Sequence, residues 1–148
     1  MHTDIVVEPM AQEHISAVAE IEKICFAHPW SVADLEKQLT LDTSRFVVAK
    51  SGEKVVGYMG LQIFSAEGYV TNVAVLPEYR RQGIGRLLLF EEMKNDMAFI
   101  SLEVRESNLP AIRLYESVGF VSQGVRPKFY TSPTENAVIM TKYFEDEI

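Results

Sequence analysis

Cysteine is nearly absent: Cys25 is the only one in 148 residues, which excludes a framework of internal disulfides. Histidine is scarce too, and His2, His14 and His28 offer no zinc-ligand spacing with that thiol, so no metal is expected. Cys25 ends a helical pattern beside Phe26 with no base at a fixed offset, and it reads as a buried core thiol rather than a nucleophile. Long apolar runs are missing. The longest, Val55 to Phe64, is broken by Gly57, Gly60 and Gln62 and falls far short of the ~20 residues that cross a bilayer. The opening Met1-His2-Thr3-Asp4 has no basic segment leading into an apolar one, so no secretory signal and a cytoplasmic location are expected. Positive charge is in deficit, with 14 Lys and Arg against 21 Asp and Glu and a formal charge of -7. A general nucleic-acid binder needs a basic face to displace counterions and is excluded on that ground. A basic peptide is a compatible partner.

What is present fits one domain over residues 1-148, with 47% hydrophobic and 24% charged residues to build and solubilise a core. Ile5 to Val7 reads as a strand, and Ile15, Val18, Ile21 and Ile24 recur at helical spacing. Ser31 and Asp34 form a capping box ahead of Leu35 and Leu39. Three strands follow: Arg45 to Lys50, Lys54 to Ser65 and Glu67 to Leu76. Their turns are expected at Ser51-Gly52 and near Ala66-Glu67-Gly68. A helix carrying Ile84, Leu87, Leu88, Phe90 and Met93 then leads to a strand over Phe99 to Val104, a crossover that makes the two flanking strands parallel. A further helix starts near Ser107-Asn108, tolerates Pro110 in its first turn, and stops at Gly119. Phe120 to Val125 and Asn136 to Tyr143 read as an antiparallel pair, joined by a loop holding Pro127, Tyr130 and Pro133. The fold class is mixed α/β: one sheet, antiparallel at its ends and parallel in the middle, with helices on both faces.

The segment from Val73 to Leu87 runs strand, loop, helix and contains Arg80-Arg81-Gln82-Gly83-Ile84-Gly85-Arg86. Two glycines let backbone approach a ligand, and free amides at the helix start, with the positive end of its dipole behind them, suit an anion. Arg80, Arg81 and Arg86 add charge that a structural turn does not need. A P-loop would follow its last glycine with Lys-Ser/Thr, whereas Arg86-Leu87 stands here. A Rossmann loop would lie in the first strand-helix turn of its unit and carry a third small residue where Leu88 stands.

The pattern Arg/Gln-x-x-Gly-x-Gly/Ala resembles motif A of the GNAT N-acetyltransferase superfamily. Acetyl-CoA is the co-substrate that this resemblance implies, its pyrophosphate on the amides of Arg81, Gln82, Gly83, Ile84, Gly85 and Arg86. The likeness extends to the bacterial RimI family through Pro29-Trp30-Ser31, Asn72 to Val75, Ser101-Leu102-Glu103-Val104-Arg105, Ser107-Asn108, Leu114-Tyr115-Glu116 and Gly119-Phe120. It implies the GNAT fold and acetylation of the N-terminal alanine of a small-subunit ribosomal protein by direct transfer.

An α-ammonium of pKa about 8 attacks only after losing a proton, and a leaving thiolate gains from an acid. Glu103 lies near the C-terminal end of the second parallel strand, on one face with Ser101 and Arg105 and opposite Leu102 and Val104. Asn108 and Tyr115 are spaced to share a helix face. The resemblance assigns Glu103 as base, Tyr115 as acid, Asn108 as a hydrogen-bonding group at the cofactor, and the backbone of Val73, Ala74 and Val75 as the pantetheine and oxyanion contact. It places Trp30 and Tyr130 beside the acceptor peptide. Val125-Arg126-Pro127-Lys128-Phe129-Tyr130 departs from the family's Arg-Arg-Asn-Tyr-Tyr, and Asn136 stands where aspartate is common, which bears on acceptor choice. Two other readings remain open: acetylation of a lysine side chain or small amine, and a non-catalytic acyl-CoA-binding module.

Overall fold

A computed structural model describes residues 4-144. Along the chain lie β1 (Ile5–Pro9), α1 (Ile15–Cys25), α2 (Val32–Gln38), β2 (Ser44–Ser51), β3 (Lys54–Phe64), β4 (Glu67–Val75), α3 (Ile84–Glu92), β5 (Phe99–Arg105), α4 (Leu109–Ser117), β6 (Val121–Tyr130) and β7 (Glu135–Tyr143). The strands form a single sheet in the order β1-β2-β3-β4-β5-β7-β6. Every neighbouring pair is antiparallel except β4 and β5. His2 lies outside the described residues.

Each face of the sheet carries its own core. On one face Val47, Ala49, Met59 and Leu61 pack with Ile84, Leu88 and Leu89 of α3 and Tyr115 of α4. On the other, Phe46, Val48 and Tyr58 pack with Ile15, Val18 and Ile21 of α1 and Leu35 of α2. Removing a fully buried aliphatic side chain of this kind from water contributes about 1.5–3 kcal/mol. The helical stripes are narrower than their periodicity suggests. Ile24 and Leu39 are exposed, the first in the last turn of α1 and the second at the C-cap of α2. Ser31 and Asp34 do close the capping box reciprocally.

The decisive irregularity is in β4. Gly60 pairs with Asn72 while the next residue, Leu61, pairs with Val70, so Thr71 is an extra residue on the β4 side. An extra residue reverses the alternation of faces and bends the strand. Val70 accordingly joins the core under α3, and Ala74, four residues on, joins the core under α1. Parallel pairing with β5 covers only Glu67 with Phe99, Gly68 with Ile100 and Tyr69 with Ser101. Beyond that point the two strands run on to Val75 and Arg105 unpaired with each other, and the sheet opens between them.

Two expectations are corrected. The β3–β4 turn sits at Ser65 and Ala66, both with positive φ, and Gly68 lies inside β4 instead. A Cβ there would collide with Met97 Sδ and meet the Phe99 carbonyl at 3.1 Å, so the glycine answers to packing, not turn geometry. Pro127 and Tyr130 are not in a loop, because β6 continues through Tyr130. β6 is an edge strand, where a missing N–H costs no ladder bond. Its pairing is interrupted between Arg126 and Tyr130, with Lys128 at φ 53.

Candidate active site

The anion loop divides its labour between its two glycines. Gly83 is the N-cap of α3, in the left-handed region at φ 82, and no side chain caps the helix. A Cβ on Gly83 would meet nothing within 4 Å, while one on Gly85 would meet Leu114 Cδ2 at 3.3 Å. The first glycine therefore opens the helix start to solvent, and the second seats α3 against α4. The first turn of α3 has amides with no partner inside the helix, and an anion fits that open, uncapped end. Arg81 also holds a positive φ, and buried Gln82 Oε1 has no hydrogen-bond partner among the described residues. Arg80 is committed elsewhere: its Nε donates to the carbonyl of Val75 at 2.9 Å, pinning the free end of β4. Arg86 Nη2 donates to Ser117 Oγ at 2.9 Å, a second tie to α4. Val73 and Val75 are partly buried on the α3 face and Ala74 is buried on the α1 face, all beyond the point where β4 leaves β5.

Across the opening, Leu102 and Val104 enter the core under α3, so Glu103 projects from the opposite face by alternation. Its carboxylate is partly exposed, with Arg126 Nη2 at 3.7 Å. Tyr115 comes from the α3 side, 5% exposed and packed on Phe120 with ring centroids 5.5 Å apart. Burial pushes its hydroxyl up to about 12, with Tyr130 adding to the shift. Tyr130 is likewise pushed up to about 12, by burial first and then by Glu103. Tyr130 therefore feels Glu103, and Tyr115 feels Tyr130, through their charges. Asn108 is the N-cap of α4, its Oδ1 accepting from Ala111 N–H at 3.3 Å. It stands at the start of the helix rather than within it.

Trp30 is half-buried, with its ring 6.1 Å from that of Phe46. Its backbone N–H donates to Glu22 Oε1 at 2.8 Å, and the hydroxyl of buried Tyr58 donates to Glu22 Oε2. A buried carboxylate so satisfied fixes the α1–α2 connection onto the sheet. Sequence reasoning missed this anchor. Glu22 sits among Glu20 and Lys23, which mark a solvated helix face, and nothing local distinguishes it. Cys25 is half-buried, not a core thiol: its Sγ lies 3.6 Å from Arg80 Nη2. Burial raises its pKa, which works against a nucleophilic role. Also missed were Arg126 over Glu103 and the pair Arg105 with Glu135, 3.2 Å apart. The face that Arg105 shares with Glu103 was the signal available.

Among the described residues no group of three or more His, Cys, Asp or Glu could hold a metal, and no helix is long and apolar enough to cross a membrane. A family model described as the acetyltransferase (GNAT) family matches residues 15–120, and the chain belongs to that family, as an N-acetyltransferase. More narrowly, it is 36% identical over 132 residues to the ribosomal protein bS18-alanine N-acetyltransferase of Escherichia coli strain K12, covering 85% of this chain and 88% of that one. It is 35% identical over 133 residues to the N-alpha-acetyltransferase RimI of Mycobacterium tuberculosis, covering 84% and 83%. The crystal structure of the Escherichia coli ribosomal-protein-S18-alanine N-acetyltransferase matches it with a TM-score of 0.87 at 30% identity, over 97% of this chain and 96% of that one. The resemblance to the GNAT superfamily and its RimI branch is borne out.

Proposed function

We propose that this chain transfers the acetyl group of acetyl-CoA to the α-amino group of an N-terminal alanine, on a small-subunit ribosomal protein as in the relatives named above, and that it does so in the cytoplasm. The observation that carries the reading is the opening of the sheet beyond Tyr69 and Ser101, bordered by the uncapped start of α3 on one side and Glu103 on the other. The amides from Arg81 to Arg86 bind the pyrophosphate of acetyl-CoA, and its pantetheine arm replaces β5 as the partner of the β4 backbone at Val73, Ala74 and Val75. An N–H of that edge polarises the thioester carbonyl.

Glu103 accepts a proton from the incoming α-ammonium, directly or through water, and frees the lone pair that attacks the carbonyl carbon. When the carbon–sulfur bond breaks, the departing thiolate takes the proton of Tyr115, and the second surplus proton of the attacking nitrogen passes to that phenolate, directly or through water, which leaves a neutral amide and restores Tyr115. With its hydroxyl pushed up to about 12, Tyr115 is protonated across the neutral range; its transfer to a thiolate of parent pKa about 8.5 is uphill alone and is driven by the proton that the still cationic amide nitrogen gives up in the same collapse. Asn108 hydrogen-bonds the co-substrate near the start of α4. Trp30 and Tyr130 flank the acceptor chain. No covalent enzyme intermediate enters.

The test is acetyl transfer from labelled acetyl-CoA to three acceptors: a peptide beginning with alanine, the same peptide blocked at its N-terminus but carrying an internal lysine, and a set of small amines. Label on the first alone is expected. Transfer to the blocked peptide or small amines with the alanine peptide inert would replace the proposed acceptor, and no transfer at all would leave only acyl-CoA binding.

A further inference from the structure

Arg105 leaves β5 on the same face as Glu103, two residues on, yet its guanidinium reaches the β6–β7 turn and the residues that flank it. Its Nη1 donates to the Pro133 carbonyl at 3.0 Å and to Glu135 Oε1 at 3.2 Å. Its Nη2 donates to the Thr131 carbonyl at 3.1 Å. Arg105 Cζ lies over the ring of Tyr130, 4.4 Å from its centroid. The second carboxylate oxygen of Glu135 accepts the Ser107 N–H at 2.6 Å, just ahead of α4. One ion pair therefore ties together the strand that carries Glu103, the helix that carries Tyr115 and the turn that follows Tyr130.

A guanidinium can span two carbonyls and stack on an aromatic ring at once, because its donors are fixed in a plane; an ammonium cannot. Both partners are partly withdrawn from water, at 31% and 18% side-chain exposure. The bonds with Ser107, reinforced by Arg105, hold the Glu135 carboxyl below the usual range, so the pair stays charged at neutral pH. Such a clamp is more than a turn of this length needs for solubility. What it fixes is the ring of Tyr130.

We propose that Arg105, backed by Glu135, is a positioning residue for the acceptor: it clamps the β6–β7 turn so that Tyr130 stands at the acceptor side of the site. This rests on the reading of Tyr130 as an acceptor contact. The consequence is that acceptor recognition depends on a side chain the acceptor need not touch, while the co-substrate site at α3 is independent of it.

Arg105→Ala, Arg105→Lys, Tyr130→Ala and the double variant Arg105→Ala/Tyr130→Ala, each in the full chain, test this by steady-state kinetics with the alanine-initial peptide and by calorimetric titration of acetyl-CoA. Arg105→Ala is expected to raise the acceptor KM about tenfold with acetyl-CoA affinity unchanged, and Arg105→Lys to fall between it and the parent. The double variant should be no worse in KM than Tyr130→Ala alone, since the clamp acts through that ring. If Tyr130→Ala raises KM while both Arg105 variants keep the parental value, the clamp is overturned and the acceptor contact stands. If Tyr130→Ala leaves KM unchanged, the acceptor contact fails and the clamp with it. Should Arg105→Ala lose acetyl-CoA binding through misfolding, Arg105→Lys decides: a raised acceptor KM supports the clamp and a parental one overturns it.

Discussion

Glu92 is a carboxyl that the proposed chemistry does not use, yet it is 1% exposed and neither of its oxygens has a hydrogen-bond partner among the described residues. Burial, with Glu91 adding to it, pushes its pKa up to about 9. In the unfolded chain it ionises near 4.5, so between those values the native state binds the extra proton and stability falls as pH rises. Glu92→Met, which keeps the length and removes the ionisation, should stabilise the fold by about 2–4 kcal/mol at pH 8. The gain should shrink toward pH 5, close to the unfolded-state value, where little of the ionisation penalty has accumulated. Urea unfolding at the two pH values measures it, and an equal gain at both would refute the ionisation account. Glu103 belongs to the same scale with opposite surroundings: partly exposed, close to Arg126, and open to the gap in the sheet. Glu103→Gln is expected to lower kcat by about 10²–10⁴ with acetyl-CoA affinity nearly unchanged. Turnover equal to the parent would remove it from the mechanism.

Among the elements, α3 is where the proposed co-substrate site adjoins helix packing, through Gly83 and Gly85. Gly83→Val places a β-branched side chain at φ 82 and in the approach to the helix amides, so calorimetry should show acetyl-CoA affinity falling at least tenfold. Gly85→Val should instead push on Leu114 and separate α3 from α4, costing about 1–3 kcal/mol of stability. Affinity untouched in the first variant would discard the loop as the anion site. The α1–α2 connection is tied to the sheet through the Glu22 carboxylate. Glu22→Ala leaves the Trp30 N–H and the Tyr58 hydroxyl without their acceptor, at a cost of about 1–3 kcal/mol. A red shift of Trp30 emission would report the loosened loop, and an unchanged spectrum would show that something else holds it.

At the scale of the whole molecule, the two cores share one sheet, and strands β2, β3 and β4 contribute to both. Loss of one face should therefore expose the other. Trp30 packs on the α1 side, while backbone circular dichroism reports all elements, and the two probes are expected to give one coincident urea midpoint. Acetyl-CoA at about 100 times its Kd should then add about 2.7 kcal/mol to both together. Separate midpoints would show that the faces unfold independently.

Most elements were legible in the sequence because their causes are local. Ser31 and Asp34 announce the cap of α2, Gly119 with φ 102 ends α4, and motif A marks the loop ahead of α3. The spacing of Ile15, Val18 and Ile21 locates the core face of α1, and the alternation through Leu102, Glu103 and Val104 says which side of β5 faces solvent. What only the tertiary structure decided is where groups distant in the chain meet. Thr71 is an ordinary strand residue until β3 fails to provide a partner for it, and that one unmatched residue turns β4 away from β5. Arg105 and Glu22 look like surface charges until the turn and the loop they hold are folded over them. Propensity and periodicity act within a few residues; the register of two strands, and the partner of a buried charge, depend on segments tens of residues apart.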